Sequence, residues 1–165
     1  MNLVHLHLML NHFPIIGTLI ALLILAFGLY KKNQTLINTG AVIMVGITLI
    51  TLPAFYTGEP AEEAIENLPG ISHRLIHEHE EAAELAFILM NITGIIALAY
   101  LFLQRMKLAI AQRLSIVLFI ATLVTCVLMA RAGNEGGKIR HAELLSSSAD
   151  TNTTPQSEAE EHENN

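Results

Sequence analysis

Four apolar blocks constrain this chain more than any other feature. They run Phe13–Tyr30, about Leu36–Tyr56, about Ala82–Leu103 and about Leu114–Ala130, and each is long enough to cross a hydrocarbon core about 30 Å thick as a helix. Inside such a core every backbone N–H and C=O must be bonded within its own segment, so helices are expected and no strand pattern competes. Hydrophobic residues make up 52% of the 165, charged residues 15%, and the mean hydropathy is +0.49. That is too apolar for an ordinary soluble domain. The expectation is an all-α integral membrane four-helix bundle, with residues 1–145 as one transmembrane domain.

Charge sets the expected orientation. Lys31, Lys32, Arg105, Lys107 and Arg113 occupy the two short connections after the first and third blocks, and those connections hold no acidic residue. The positive-inside rule puts them in the cytoplasm. All fifteen Asp and Glu and all eight His fall in the other regions, so both termini and the loop between the second and third blocks are expected on the outer side. In a bacterium this is a multi-pass inner-membrane protein with its termini in the periplasm. No secretory signal is expected, since a charged n-region is missing and the first block ends in lysines. Cys126 is the lone cysteine and lies deep in the fourth block, so it is read as a small packing residue.

Between the second and third blocks, Gly58–Gly70 reads as an outer excursion. Ala61, Ala64, Ile65 and Leu68 recur at helical spacing opposite Glu62, Glu63 and Glu66, which predicts a short amphipathic outer helix over the bundle mouth. From residue 146 onward the chain is too polar to bury a core, and 146–165 is expected to be a disordered acidic tail. No internal repeat is convincing, although the first and second pairs of blocks share the same out-in-out course. Asn91, Thr93 and Gly94 are read as helix packing and hydrogen bonding, Met90 and Met129 as core, and Asn38 and Gln112 as wet positions near the cytoplasmic boundary.

The histidines carry the chemistry. His5, Met9 and His12 share one stripe if the first segment is helical, whereas His7 points elsewhere; Pro14 suggests that regular helix begins near Phe13. In the segment before the third block, His73, His77, Glu80, Glu81 and Glu84 share a broad face, and His79 stands above Ala82, Ala83 and Ala86. Those alanines admit either a close neighbouring helix or a flat macrocycle. After the fourth block, Gly133, Gly136 and Gly137 are expected to turn the backbone at the outer surface and return Lys138, Arg140 and His141 toward the mouth. Histidines from three segments would then meet at one rim.

The ordered set Leu6-His7-x4-His12-Phe13-Pro14-Ile15, Thr57-Gly58-x2-Ala61-Glu62-Glu63, Ile76-x2-His79-Glu80 and Gly136-Gly137-x-Ile139-Arg140-His141 resembles the bacterial membrane family catalogued as domain of unknown function (DUF) 2231. The resemblance covers about residues 5–143 and is specific only as a combination. It implies a four-helix inner-membrane domain with relatives associated with haem and cytochrome proteins, and no established reaction. It matches His7, His12, His79 and His141, leaving His5, His73 and His77 as extras; the proline that follows the first motif histidine in many relatives is not present here.

Three functional expectations follow. The first is an electron-transfer protein or subunit with a non-covalent haem b, because imidazoles are good axial ligands and ionisable groups near a span are functional candidates. His12 and His79 would ligate one iron, with His7 and His141 as a second pair or as supporting groups. Arg131 and Arg140 would hold propionates. A periplasmic cytochrome c or another respiratory-chain component would be the partner, alongside the lipid bilayer. There is no Cys-x-x-Cys-His for covalent attachment. The second expectation is a zinc or copper site using His77, His79, Glu80 and Glu81. The third is a cofactor-free membrane scaffold or subunit. Neither the middle nor the inner half of any block carries a charge, which argues against ion or proton transport. A net charge of −6 leaves no basic nucleic-acid face, and no phosphate-cradling or serine-nucleophile motif occurs.

Overall fold

The computed structural model describes residues 3–67 and 72–151, without the side chains of Leu3, Arg140 and residues 142–151. Its described residues form α1 (Leu3–Leu10), α2 (His12–Tyr30), α3 (Gln34–Tyr56), α4 (Gly58–Glu63), α5 (His73–Arg105) and α6 (Ile110–Thr151). Four helical stretches, Val4–Tyr30, Gln34–Glu63, His73–Arg105 and Ile110–Ile139, are long and apolar enough to cross a membrane. Around the bundle, α2 packs on α3 and α6, and α5 packs on the same two neighbours.

Small and hydroxyl-bearing residues lie between the helices beside a few large ones, Leu25, Met44, Met90 and Leu118, while many large aliphatic residues face outward. Ala21, Ala41, Ala86, Ala97, Thr18, Thr93, Thr122 and Thr125 are buried between the helices, whereas Leu23, Ile95, Phe102 and Val127 are each more than half exposed. Small residues let backbones approach closely, which is how helices associate when their surroundings are already apolar. Gly94 shows the closeness, since a β-carbon there would stand 2.5 Å from Thr48 Oγ1. The hydroxyls are satisfied internally: Thr93 and Thr125 share a buried hydrogen bond of 2.8 Å between α5 and α6. Asn91 donates to the Phe87 carbonyl at 2.8 Å.

Asn38 departs from its expected role as a wet boundary residue. Its Oδ1 accepts from Tyr100 Oη at 2.8 Å and from Gln34 Nε2 at 3.0 Å, and Gln34 Nε2 also bonds Tyr100 Oη. Tyr100 is fully buried, so its hydroxyl needs a partner that the sequence spacing does not reveal.

The turns after α2 and α5 are the same structure made twice. After α2, Lys31, Lys32 and Asn33 N–H donate to Phe27, Leu29 and Gly28 carbonyls at 2.9, 3.1 and 2.8 Å; after α5, Met106, Lys107 and Leu108 donate to Phe102, Gln104 and Leu103 at 3.0, 3.0 and 3.1 Å. Each is a Schellman closure, and each places a lysine in the left-handed region, Lys32 at φ 51° and Lys107 at φ 55°. The equivalence is one of the turns alone: the helices they join are 19 and 23 residues long in α2–α3 and 33 and 42 in α5–α6.

Two expectations are corrected. The helix after the fourth block does not turn at its glycines: α6 runs unbroken through Gly133, Gly136 and Gly137 to Thr151, because α5 extends alongside it and Ile76, Ala132 and Ile139 are buried. At 42 residues it is about 63 Å long at 1.5 Å per residue, roughly twice a hydrocarbon core. The outer amphipathic helix is shorter than expected, since α4 ends at Glu63, and among the described members of its apolar set only Ala61 is buried. Leu68 and Gly70 lie outside the described residues, as do 152–165 of the expected tail; residues 146–151 continue α6.

Candidate functional site

At the end of the bundle away from the lysine turns, the first segment is helical from Leu3, not from near Phe13 as Pro14 suggested, and Asn11 between α1 and α2 keeps helical angles (φ −65°, ψ −22°) and its bond to the His7 carbonyl at 2.9 Å. The segment's phase separates the histidines. The His5, Met9 and His12 stripe is the exposed face, and His12 Nδ1–H merely donates to the Leu8 carbonyl one turn back, at 2.7 Å. His7 faces inward and is half-buried. Its Nδ1–H donates to the Ala54 carbonyl in the last turn of α3 at 3.0 Å, with Thr57 Oγ1 3.5 Å from the same nitrogen.

His79, on α5, repeats this arrangement against α6. It is half-buried and donates its Nδ1–H to the Ala132 carbonyl at 3.0 Å. A carbonyl oxygen can only accept, so each neutral ring carries its proton on Nδ1 and keeps the lone pair of Nε2 free. Burial holds both rings below the ordinary histidine pKa, which favours the neutral form.

The two accepting carbonyls differ in place: that of Ala54 is in the last turn of α3 and that of Ala132 is inside α6, and a glycine stands near each. The accepting carbonyls belong to Ala54 and Ala132, and four residues later stand Gly58 and Gly136. In a helix the carbonyl of residue i points at the N–H of i+4, so the β-carbon of i+4 would flank the oxygen and narrow its approach. A β-carbon at Gly58 would lie 3.4 Å from His7 Cε1; one at Gly136 would lie 3.1 Å from His79 Cε1 and 3.3 Å from its Nδ1. An Ala-x3-Gly spacing thus stands at the histidine in each hairpin, but only at Gly136 would a β-carbon crowd the ring; at Gly58 it would make an ordinary contact. The two alanine–glycine spacings are visible in the sequence, but nothing there says that they are ring seats.

The alanines beneath His79 are helix contacts. Ala82 and Ala86 are buried in the main core cluster and Ala83 packs against it, so of the two uses open from sequence the bundle takes close helix approach. The remaining candidates stand apart from the pair. His77 is exposed and lies 3.7 Å from Glu80 and 3.3 Å from Glu81 on its own helix, a solvated pairing of the kind that contributes little. His141 and Arg131 are exposed on α6, and the Arg140 side chain lies outside the described residues. Among the described residues no group of three or more His, Cys, Asp or Glu is placed to hold a metal ion.

Two tied imidazoles come from opposite hairpins, each with no partner on Nε2 among the described residues; two nitrogens are the number an iron porphyrin takes from a protein, its macrocycle supplying the other four ligands. Closed zinc sites take four protein ligands and catalytic ones three. Comparison with family models, with curated proteins and with solved structures gives no match to this chain.

Proposed function

We propose that the protein is a multi-pass bacterial inner-membrane electron-transfer protein or subunit, its termini in the periplasm, holding a non-covalent haem b between His7 and His79. The observation that carries this reading is the matched Nδ1 anchoring of two inward imidazoles on facing hairpins. A hydrogen bond on the far nitrogen sets tautomer and ring orientation and raises ligand basicity, as is usual for ligating histidines. His7 and His79 replace the pairing of His12 with His79, because His12 lies on the exposed stripe. Bound there, haem would supply one-electron redox chemistry. Arg131, exposed on α6, is kept as the propionate partner expected from the sequence. The kinship with the DUF 2231 family belongs to the same proposal, supported by the motif residues His7, Gly58, His79 and Gly136 meeting in the two seats.

The orientation rests on the all-basic connections, and a periplasmic cytochrome c or another respiratory-chain component is the partner it allows. One spectrum tests the central claim. Protein purified in detergent should show a Soret band and reducible α and β bands, lost in His7→Ala and His79→Ala and retained in His12→Ala. A colourless protein that takes up no added haem would overturn the proposal, and zinc or copper found in that sample would favour a divalent-metal protein instead.

A further inference from the structure

A second feature lies at the opposite end of the bundle. Leu29 of α2, Lys32 of the following turn, Gln34 and Ile37 of α3, and Gln112 and Ile116 of α6 line a groove of about 390 Å³. Its volume is at the lower end of the range that holds small molecules, about 300–1,000 Å³. Half of this lining, Leu29, Ile37 and Ile116, is apolar and the other half polar, and Ile116, Val117 and Ile120 of α6 are exposed. Gln34 is fixed from behind by Tyr100 and Asn38.

Two groups at its edge are uncommitted. Among the described residues neither the Lys32 ammonium nor the Gln112 amide has a partner, whereas the neighbouring Lys31 ammonium lies 5.0 Å from the Tyr30 ring and 5.8 Å from that of Phe27. Lys32 is directed by its left-handed backbone, φ 51°, in a turn closed on both sides. Five cations and no acidic residue occupy this end of the chain's hairpins. An ammonium and an amide beside apolar side chains, at the depth where a span meets water, recognise a molecule with an anionic head and a hydrocarbon tail.

We propose that this groove binds the phosphodiester headgroup of an anionic glycerophospholipid, with Lys32 and Gln112 on the phosphate and an acyl chain along Ile116. Basic pockets between helices at a cytoplasmic face bind such headgroups. The proposal rests on the membrane reading and is independent of any haem. A free phosphate would use the ammonium but leave the apolar half of the lining empty.

The full chain, purified in detergent, is heated in micelles containing phosphatidylglycerol, in micelles containing phosphatidylcholine, or with inorganic phosphate. Retained lipid is counted by native mass spectrometry. Phosphatidylglycerol should raise the unfolding midpoint and stay bound at one molecule per chain, with phosphatidylcholine and phosphate doing neither. Lys32→Gln should lower retention about fivefold, Gln112→Leu should lower it too, and Lys31→Gln should leave it unchanged. Equal retention of the two lipids, equal protection by phosphate, or wild-type retention in both Lys32→Gln and Gln112→Leu would overturn the site. A chain that stays monodisperse without detergent would overturn the membrane reading instead, so the two failures are distinguishable.

Discussion

His79 sits against Gly136: the ring donates to the carbonyl of Ala132 at 3.0 Å, and a β-carbon on Gly136 would stand 3.1 Å from its Cε1. The contact turns a glycine that looks like a chain bend into the floor of a ring seat. Gly136→Ala should displace the imidazole by a few tenths of an ångström and destabilise the bundle by about 1–3 kcal/mol. Gly137, where an added β-carbon would meet nothing within 4 Å, provides the control. Because it lies inside a continuous helix, Gly137→Ala should stabilise by about 0.5–1 kcal/mol. Thermal unfolding of the two variants in detergent checks both signs, and a destabilised Gly137→Ala would mean that α6 bends there.

The buried Thr93–Thr125 pair offers a cleaner energy. Each hydroxyl is without solvent, and removing one leaves the other short of a cross-helix partner. Thr93→Val or Thr125→Val should each cost about 1–3 kcal/mol, and the double variant less than the sum. Thr125 also donates to the Ala121 carbonyl of its own helix at 2.8 Å, so values at the lower end are expected. Strict additivity in the double-mutant cycle would show that the 2.8 Å contact between the hydroxyls carries no coupling.

Lys107 occupies a backbone conformation that costs an L-residue about 1–2 kcal/mol. Lys107→Gly removes that strain while adding freedom to the unfolded chain, and the balance should be a gain of up to about 1 kcal/mol. A rise in the unfolding midpoint is the expected result. A fall would show that the lysine side chain contributes more than its backbone strain removes.

His77 and His79 are two residues apart and should behave as unlike residues. His77→Ala removes an exposed pairing with Glu80 and Glu81 and should change stability by less than about 0.5 kcal/mol. His79→Ala removes a half-buried ring and its cross-helix hydrogen bond, and should cost about 1–3 kcal/mol. If the haem proposal holds, the same pair of variants separates spectrally, with only His79→Ala losing the Soret band.

Topology is tested by labelling. In a Cys126→Ala background, a cysteine placed at Lys32 should react with a membrane-impermeant reagent only when the cytoplasmic face is opened. Labelling of intact cells from outside would invert the bundle, moving the histidine end into the cytoplasm and removing a periplasmic partner.

The residues by themselves determined the four apolar helices, their ends at the basic connections and the gathering of those connections at one end, though not how far α5 and α6 extend beyond their apolar blocks at the other. These follow from local quantities, the length of an apolar run and the sign of the charges that bound it, and each can be measured along a single segment. Thr93 and Gly94 were legible as packing positions for the same reason, being small residues inside a span. Helical spacing separated His7 from the His5, Met9 and His12 stripe, but the tertiary structure alone decided which of those faces turns inward, because the rotation of the first segment against α3 sets it. It also decided that Gly133, Gly136 and Gly137 continue a helix: a glycine permits a turn, and the neighbouring α5, burying Ile76 and Ile139, removes the advantage of making one. The ring contacts at Ala54 and Ala132 exist only between helices. Each carbonyl belongs to one helix, but the ring that bonds it comes from another, and its arrival depends on register, rotation and depth that no single segment encodes.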